Sequence, residues 1–249
     1  MVFSSLFFLF FFLPLNLLLY YIARGRNLKN WILVVFSLIF YAWGEPIWIG
    51  LLVLSAFIDY LNGLFIERYR GKSISILGLY STLFFNLGFL FTFKYSDFIV
   101  ENVNLLFGTQ FTPPGFLLPI GISFYTFQTI SYTIDVYKGE VKAQSSFLKF
   151  LLFVSLFHQL VAGPIVRYSH IADEIDHRIF RWRDFSNGIT RFSIGLFKKV
   201  CIANIAGGLC AQFLDSDLSS LSVAGGWYGL VMYSLQIYFD FSGYSDMAI

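Results

Sequence analysis

Three groups of residues in this sequence could do chemistry. Gln128, Ser131 and Asp135 fall at i, i+3 and i+7, so they share one face of any helix that carries them. The run 150–168 (FLLFVSLFHQLVAGPIVRY) begins apolar enough to enter a bilayer, then meets His158, Gln159, Gly163 and Pro164 and closes on Arg167. The run 238–249 (YFDFSGYSDMAI) crowds Asp240, Ser242, Gly243, Tyr244, Ser245 and Asp246 into an otherwise apolar segment. His158 could act as a general base, because imidazole titrates near neutral pH. It has no adjacent Ser, Cys or carboxylate, which fits a buried, hydrogen-bonded framework histidine better. Asp59, in another apolar run, reads as a structural group paired with Asn62 or a tyrosine inside the bundle.

Other chemistries are excluded by pattern. His158, His170 and His177 have no metal-ligand spacing, and His170 and His177 lie in a charged, solvated region. Gly-x-Ser-x-Gly, P-loop and dinucleotide signatures are missing. Cys201 and Cys210 stand nine apart in one apolar segment, which is neither a metal pattern nor a disulfide framework, and both read as small buried apolar residues.

The elements that must position these groups are membrane helices. The 249 residues are 57% hydrophobic and 13% charged, against about 25% charged in a soluble domain. A net charge of +2 with no basic stripe excludes nucleic acid as a partner. The expected fold is all-α: a polytopic integral membrane bundle with about seven spans plus one re-entrant broken helix, forming a single membrane domain over 1–249. The spans are 2–23 (kinked at Pro14), 31–43, 47–65, 74–93, 116–136, 192–213 and 223–249. Residues 94–114 form a mixed loop. Residues 169–191, with Phe180, Trp182 and Phe185 among arginines, suit a segment in the headgroup region. The N-terminal run carries no cationic n-region or cleavage site and is read as a retained first span.

Charge asymmetry gives one consistent topology. Arg24, Arg26 and Lys29 stand without an acid; Arg68, Arg70 and Lys72 face only Glu67; Lys138, Lys142 and Lys149 face only Glu140. The spans assigned above put all three links on one side. Residues 167–191 carry five arginines against four acids and join them. The segment 150–166 must then enter and return on the same side, so the count supports re-entrance independently of the Gly163–Pro164 break. Two readings remain open at this point: an enzyme, or a transporter or channel with a polar intramembrane path. Broken helices repeated in two halves, as many transporters have, are not seen.

The stretches 118–137 (LPIGISFYTFQTISYTIDVY), 158–168 (HQLVAGPIVRY) and 238–249 resemble, in the same order, three signature stretches of the membrane-bound O-acyltransferases. The closest likeness is to the polysaccharide branch typified by alginate O-acetyltransferase. The resemblance covers nearly all of this chain but only the amino-terminal part of a family member. It implies acyl transfer, with O-acetyl transfer expected, through a membrane funnel to hydroxyls of an exported polysaccharide such as alginate. The acyl donor would be acetyl-CoA or a related acyl carrier, with no resident cofactor or metal. Membrane lipid and extracytoplasmic acetylation partner proteins would complete the setting, in the bacterial inner (plasma) membrane. The family's principal histidine would lie beyond Ile249, leaving His158 as a weak catalytic candidate and this fragment alone inactive. By the same resemblance Gln159, Gly163, Pro164, Arg167, Asp240, Ser242, Gly243, Tyr244 and Asp246 become funnel-wall and framework positions. With Gln128, the residues Gln159, Arg167, Asp240, Ser242, Tyr244 and Asp246 are the expected substrate-binding set.

Overall fold

The computed structural model describes residues 2–160, 165–215 and 221–248. Among these residues every regular element is a helix. In chain order they are α1 (Phe8–Ile22), α2 (Arg26–Gly44), α3 (Ile49–Arg68), α4 (Ser75–Phe107), α5 (Ile122–Lys138), α6 (Phe147–Ser155), α7 (Phe157–Leu160), α8 (Tyr168–Asp176), α9 (Trp182–Leu214) and α10 (Val223–Ala248). Three of them, α3, α4 and α9, are long and apolar enough to cross a membrane. Large apolar side chains such as Phe10, Phe84 and Leu105 face outward, as they must where lipid rather than water is the solvent.

Several boundaries differ from those the sequence suggests. The helix expected to end at 93 continues to Phe107 through Lys94, Asp97 and Glu101. Beyond Phe93 there is no Gly or Pro before Gly108, whose left-handed backbone (φ 63°) ends it. At 33 residues, α4 is about 50 Å long. The next span starts at Ile122 rather than 116, because Pro113, Pro114, Gly115 and Pro119 keep the preceding chain irregular. Residues 182–191, expected as a separate headgroup segment, are the first turns of α9, which passes through π-helical turns at Lys198–Ala203. The irregularity expected at Pro14 appears one turn earlier, as π-helical turns over Phe8–Phe12. Cys210 is buried as expected, but Cys201 is exposed on α9.

The described residues pack as two compact units. One comprises residues 16–160 and 165–178; the other comprises residues 2–15, 179–215 and 221–248. In the first, α3, α4 and α5 enclose a buried polar network. The Asn86 amide donates to both oxygens of Asp59 at 2.8 Å, and the Oδ1 of Asn86 accepts from Ser55 at 3.1 Å and from Thr129 at 3.4 Å. Asn62 donates to Thr82, which reaches Thr133. On the basic side, Arg70 donates to the carbonyls of Val136 and Val141, and Glu67 accepts from the Ala143 amide. Links 67–72 and 138–149 therefore meet at one end of the bundle, in keeping with their shared positive charge.

In the second unit α10 packs against α9 at near-backbone distance. A Cβ on Gly195 would stand 2.6 Å from the Gly243 carbonyl oxygen and 2.9 Å from the Met247 nitrogen. These two glycines let the helices meet, as small residues do in membranes.

Asp59 is fully buried and its carboxylate has Asn86 as its amide donor. Removing one partner of a buried charge costs about 3–5 kcal/mol. Asn86→Leu should therefore destabilise the protein by that order, while Thr133→Val should cost below about 1 kcal/mol. Thermal unfolding in detergent micelles checks this, and equal effects of the two changes would refute it.

Candidate functional site

The break that the sequence suggests at Gly163–Pro164 falls outside the described residues. The described chain breaks earlier, at Leu156, whose ψ of 116° ends α6 after nine residues. A helix of that length rises only about 13 Å, too short to cross a bilayer. In a continuous helix the Phe157 N–H would donate to the Phe153 carbonyl. Here the Phe157 N–H donates instead to Ser37 Oγ on α2 at 3.2 Å. The Phe153 carbonyl accepts two side-chain amides, Gln128 Nε2 from α5 at 3.0 Å and Gln159 Nε2 from α7 at 2.6 Å. Gly121 allows the close fit: a Cβ there would lie 2.9 Å from the Leu160 carbonyl oxygen. Ser155 Oγ and the hydroxyls of Tyr41 and Tyr125 are also buried in this unit without a hydrogen-bond partner among the described residues. Such groups are the ones open to a polar guest.

His158 follows the break, half-buried, with its ring edge-on to Phe157 at 5.4 Å. Ser131 turns its hydroxyl back to the Gln128 carbonyl. Asp135 is buried, with Oδ2 lacking a hydrogen-bond partner, and lies within electrostatic reach of Arg167. Arg167 is exposed and immediately precedes α8, with no capping hydrogen bond from its side chain. Its neighbour Tyr168 receives a hydrogen bond from Gln144 Nε2. Burial pushes the Tyr168 phenol above its ordinary range, and the Gln144 bond offsets part of that rise.

In the other unit the carboxylates of α10 meet cations of α9. Lys198 Nζ binds Asp246 at 2.5 Å and Ser242 at 3.0 Å, Arg191 Nε reaches Asp246 at 3.2 Å, and Lys199 pairs with Asp240 at 2.6 Å. The side chain of Asp246 is 17% exposed and that of Asp240 is 43% exposed, so the second pair is the wetter one. Tyr244 stacks on Phe3, with ring centroids 4.9 Å apart and planes 7° apart.

A family model described as MBOAT, the membrane-bound O-acyltransferase family, matches residues 2–249. The chain belongs to that family. Among its relatives, a protein described as probable alginate O-acetylase AlgI from Azotobacter vinelandii is 41% identical, with 100% of this chain and 50% of the relative covered. The protein of that description from Pseudomonas aeruginosa is also 41% identical, over 100% of this chain and 48% of its own length. A peptidoglycan O-acetyltransferase of Helicobacter pylori is 37% identical over 100% and 53% respectively. The chain thus spans about half the length of the curated relatives it matches. The transporter reading finds no support in these matches.

In this member of the family the expected site residues fall into two groups, one in each unit. Gln128 and Gln159 converge on one carbonyl, and Asp240, Ser242 and Asp246 converge on one cation cluster. Tyr244 faces an aromatic partner instead, and Arg167 is not among the donors to the carbonyl that the two glutamines share. Sequence reading did not assign Ser37, Arg191, Lys198 or Lys199 to a site. The lysines did leave a signal: cations near the start of one apolar segment, matched by carboxylates near the end of the next. Ser37 left none, being one hydroxyl in an apolar helix.

Either glutamine alone can satisfy the Phe153 carbonyl. Gln128→Leu or Gln159→Leu should each cost about 1 kcal/mol, and the pair more than the sum, because a buried acceptor is then left bare. A double-mutant cycle on thermal stability in micelles measures this; strict additivity would contradict the shared acceptor.

Proposed function

We propose that this chain is the amino-terminal part of a multi-pass O-acetyltransferase of the bacterial plasma membrane, transferring acetyl groups to hydroxyls of an exported glycan. What carries the reading is the likeness of its whole length, at 37–41% identity, to relatives named for O-acetylating alginate or peptidoglycan. Alginate is the favoured acceptor, and acetyl-CoA or a related acyl carrier the donor, with extracytoplasmic proteins completing delivery. We read the broken α6–α7 segment as a re-entrant element and α1, α2, α3, α4, α5, α9 and α10 as the seven spans, of which α3, α4 and α9 have by themselves the length and apolarity to cross.

Acetyl transfer to a hydroxyl needs a base for its proton and donors for the tetrahedral oxyanion. We assign the base to a histidine beyond Ile249, and a framework role to His158. The residues of this chain position and line. Lys198 and Arg191 hold Asp246 in one orientation, so its carboxylate could fix a neighbouring imidazole or a polar acceptor group. Gln128, Gln159 and the hydroxyls around the break would line the donor path. Within its own unit, the half-exposed Asp240–Lys199 pair is a group that a charged substrate could engage; within the other, exposed Arg167 is.

Membranes carrying the complete protein, supplied with labelled acetyl-CoA and glycan acceptor, should incorporate acetyl groups. Asp246→Ala should lower incorporation by roughly 10- to 100-fold at normal expression, the scale of a mispositioned reacting group. Lys198→Arg, which keeps the cation, should retain most of it. Unchanged incorporation in Asp246→Ala would remove this carboxylate from the site.

A further inference from the structure

Where α1 turns into α2, the first unit holds a cleft that the proposed acetyl transfer does not use. Tyr20, Arg26, Lys29, Asn30, Asp176 and Arg178 line it. Its charge is lopsided. Arg26, Lys29 and Arg178 have no carboxylate partner among the described residues, while the one acid, Asp176, is already engaged by Lys149. Lys29 lies over the Tyr20 ring at 4.9 Å, which holds its ammonium at the cleft.

The cleft also contains the start of α2. Gly25 precedes it, and no side chain caps the first turn. The N–H groups of Arg26, Asn27 and Leu28 thus lack intrahelical acceptors and add the positive end of the helix to the three cations. A second feature narrows the ligand. Asn30 is 1% exposed, and its Oδ1 is buried without a hydrogen-bond partner among the described residues. An acceptor so placed asks for a donor. A bare anion would satisfy the cations and leave Asn30 unpaired.

We propose that this cleft binds a phosphate ester whose headgroup also carries an O–H or N–H donor, as in phosphatidylglycerol or phosphatidylethanolamine. The phosphate sits among Arg26, Lys29, Arg178 and the first turn of α2, and the headgroup hydroxyl or ammonium donates to Asn30. The surroundings favour a lipid source. Ile22, Leu28 and Trp31 beside the cleft are 65%, 51% and 53% exposed. An aromatic and aliphatic collar at a basic helix end is what a membrane interface selects, and clustered cations there recognise anionic headgroups.

Native mass spectrometry of the complete protein in detergent tests the site, with dioctanoyl phosphatidylglycerol, phosphatidylethanolamine, phosphatidylcholine and glycerol 3-phosphate as probes. The first two lipids should stay bound. Phosphatidylcholine, which offers no headgroup donor, should be retained at least about tenfold less. The triple variant R26Q/K29Q/R178Q should lower phosphatidylglycerol retention by about tenfold or more with helical content unchanged. Asn30→Ala, which keeps all three cations, should erase the preference for phosphatidylglycerol over phosphatidylcholine. Glycerol 3-phosphate bound more tightly than the lipids, and lost in the triple variant, would support the same chemistry with a soluble source. Equal retention of phosphatidylglycerol and phosphatidylcholine, or retention indifferent to the triple variant, would overturn the proposal. None of these readouts involves acetyl transfer, so the site and the proposed enzymatic role stand or fall separately.

Discussion

One divided hydrogen bond governs the first unit. The Phe157 N–H and the Phe153 carbonyl would be partners in an unbroken helix, and at Leu156 the chain pulls them apart. Away from water, each unpaired backbone group costs several kcal/mol. Both are instead met by side chains from three directions: Ser37 on α2, Gln128 on α5 and Gln159 on α7. The break therefore fixes where α2 and α5 must stand, since moving either one uncovers a backbone group. Aromatic packing supports the same arrangement from the basic side. Tyr132 lies 4.7 Å from Phe150 and 5.0 Å from Tyr168 by ring centroids, and its hydroxyl accepts the Gln144 N–H.

The second unit solves a related problem by charge. Ammonium and carboxylate groups on apolar helices are tolerated when they face one another, and here α9 supplies the cations and α10 the carboxylates. The pairing depends on the small residues between them. With a side chain at Gly195 or Gly243 the two backbones could not approach as they do, and Lys198 would lose its reach to Ser242 and Asp246. The crowding of small residues and carboxylates in 238–249 is thus one device: the glycine brings the helix in, and the acids meet what it approaches.

The sequence carries the helical class, the apolar segments and the shared side of the basic links, because these follow from composition and from charge next to apolar runs. It also marks Asp240, Ser242 and Asp246, because charge in a membrane segment stands out wherever it lies. It does not show the end of α4. Lys94, Asp97 and Glu101 look like a loop beside an apolar run, yet a helix stops only where something stops it, and nothing does before Gly108. The break at Leu156 is equally silent. Leucine has no turn preference, and the reasons the chain can break there are a serine about 120 residues earlier and a glutamine in another helix. Gly163 and Pro164 drew attention because breakers are legible in a sequence, whereas distant acceptors and donors are not.

The contrast between the units bears on where chemistry belongs. In the first, Asp59 and Asn86 are closed off: the Asn86 amide serves both oxygens of the carboxylate, and the surrounding hydroxyls are bonded to Asn86 Oδ1, to one another or to backbone. A saturated network of that kind locks three helices and has nothing left to offer a substrate. Around the break the balance differs, since Ser155, Tyr41 and Tyr125 keep hydroxyls that no described protein group engages. In the second unit the carboxylates are held by cations at partial exposure, where water weakens the pairing. A carboxylate so placed can exchange one partner for another without being stranded. Groups whose partners can change therefore lie in the α9–α10 cluster and around the broken helix, and not at the buried Asp59.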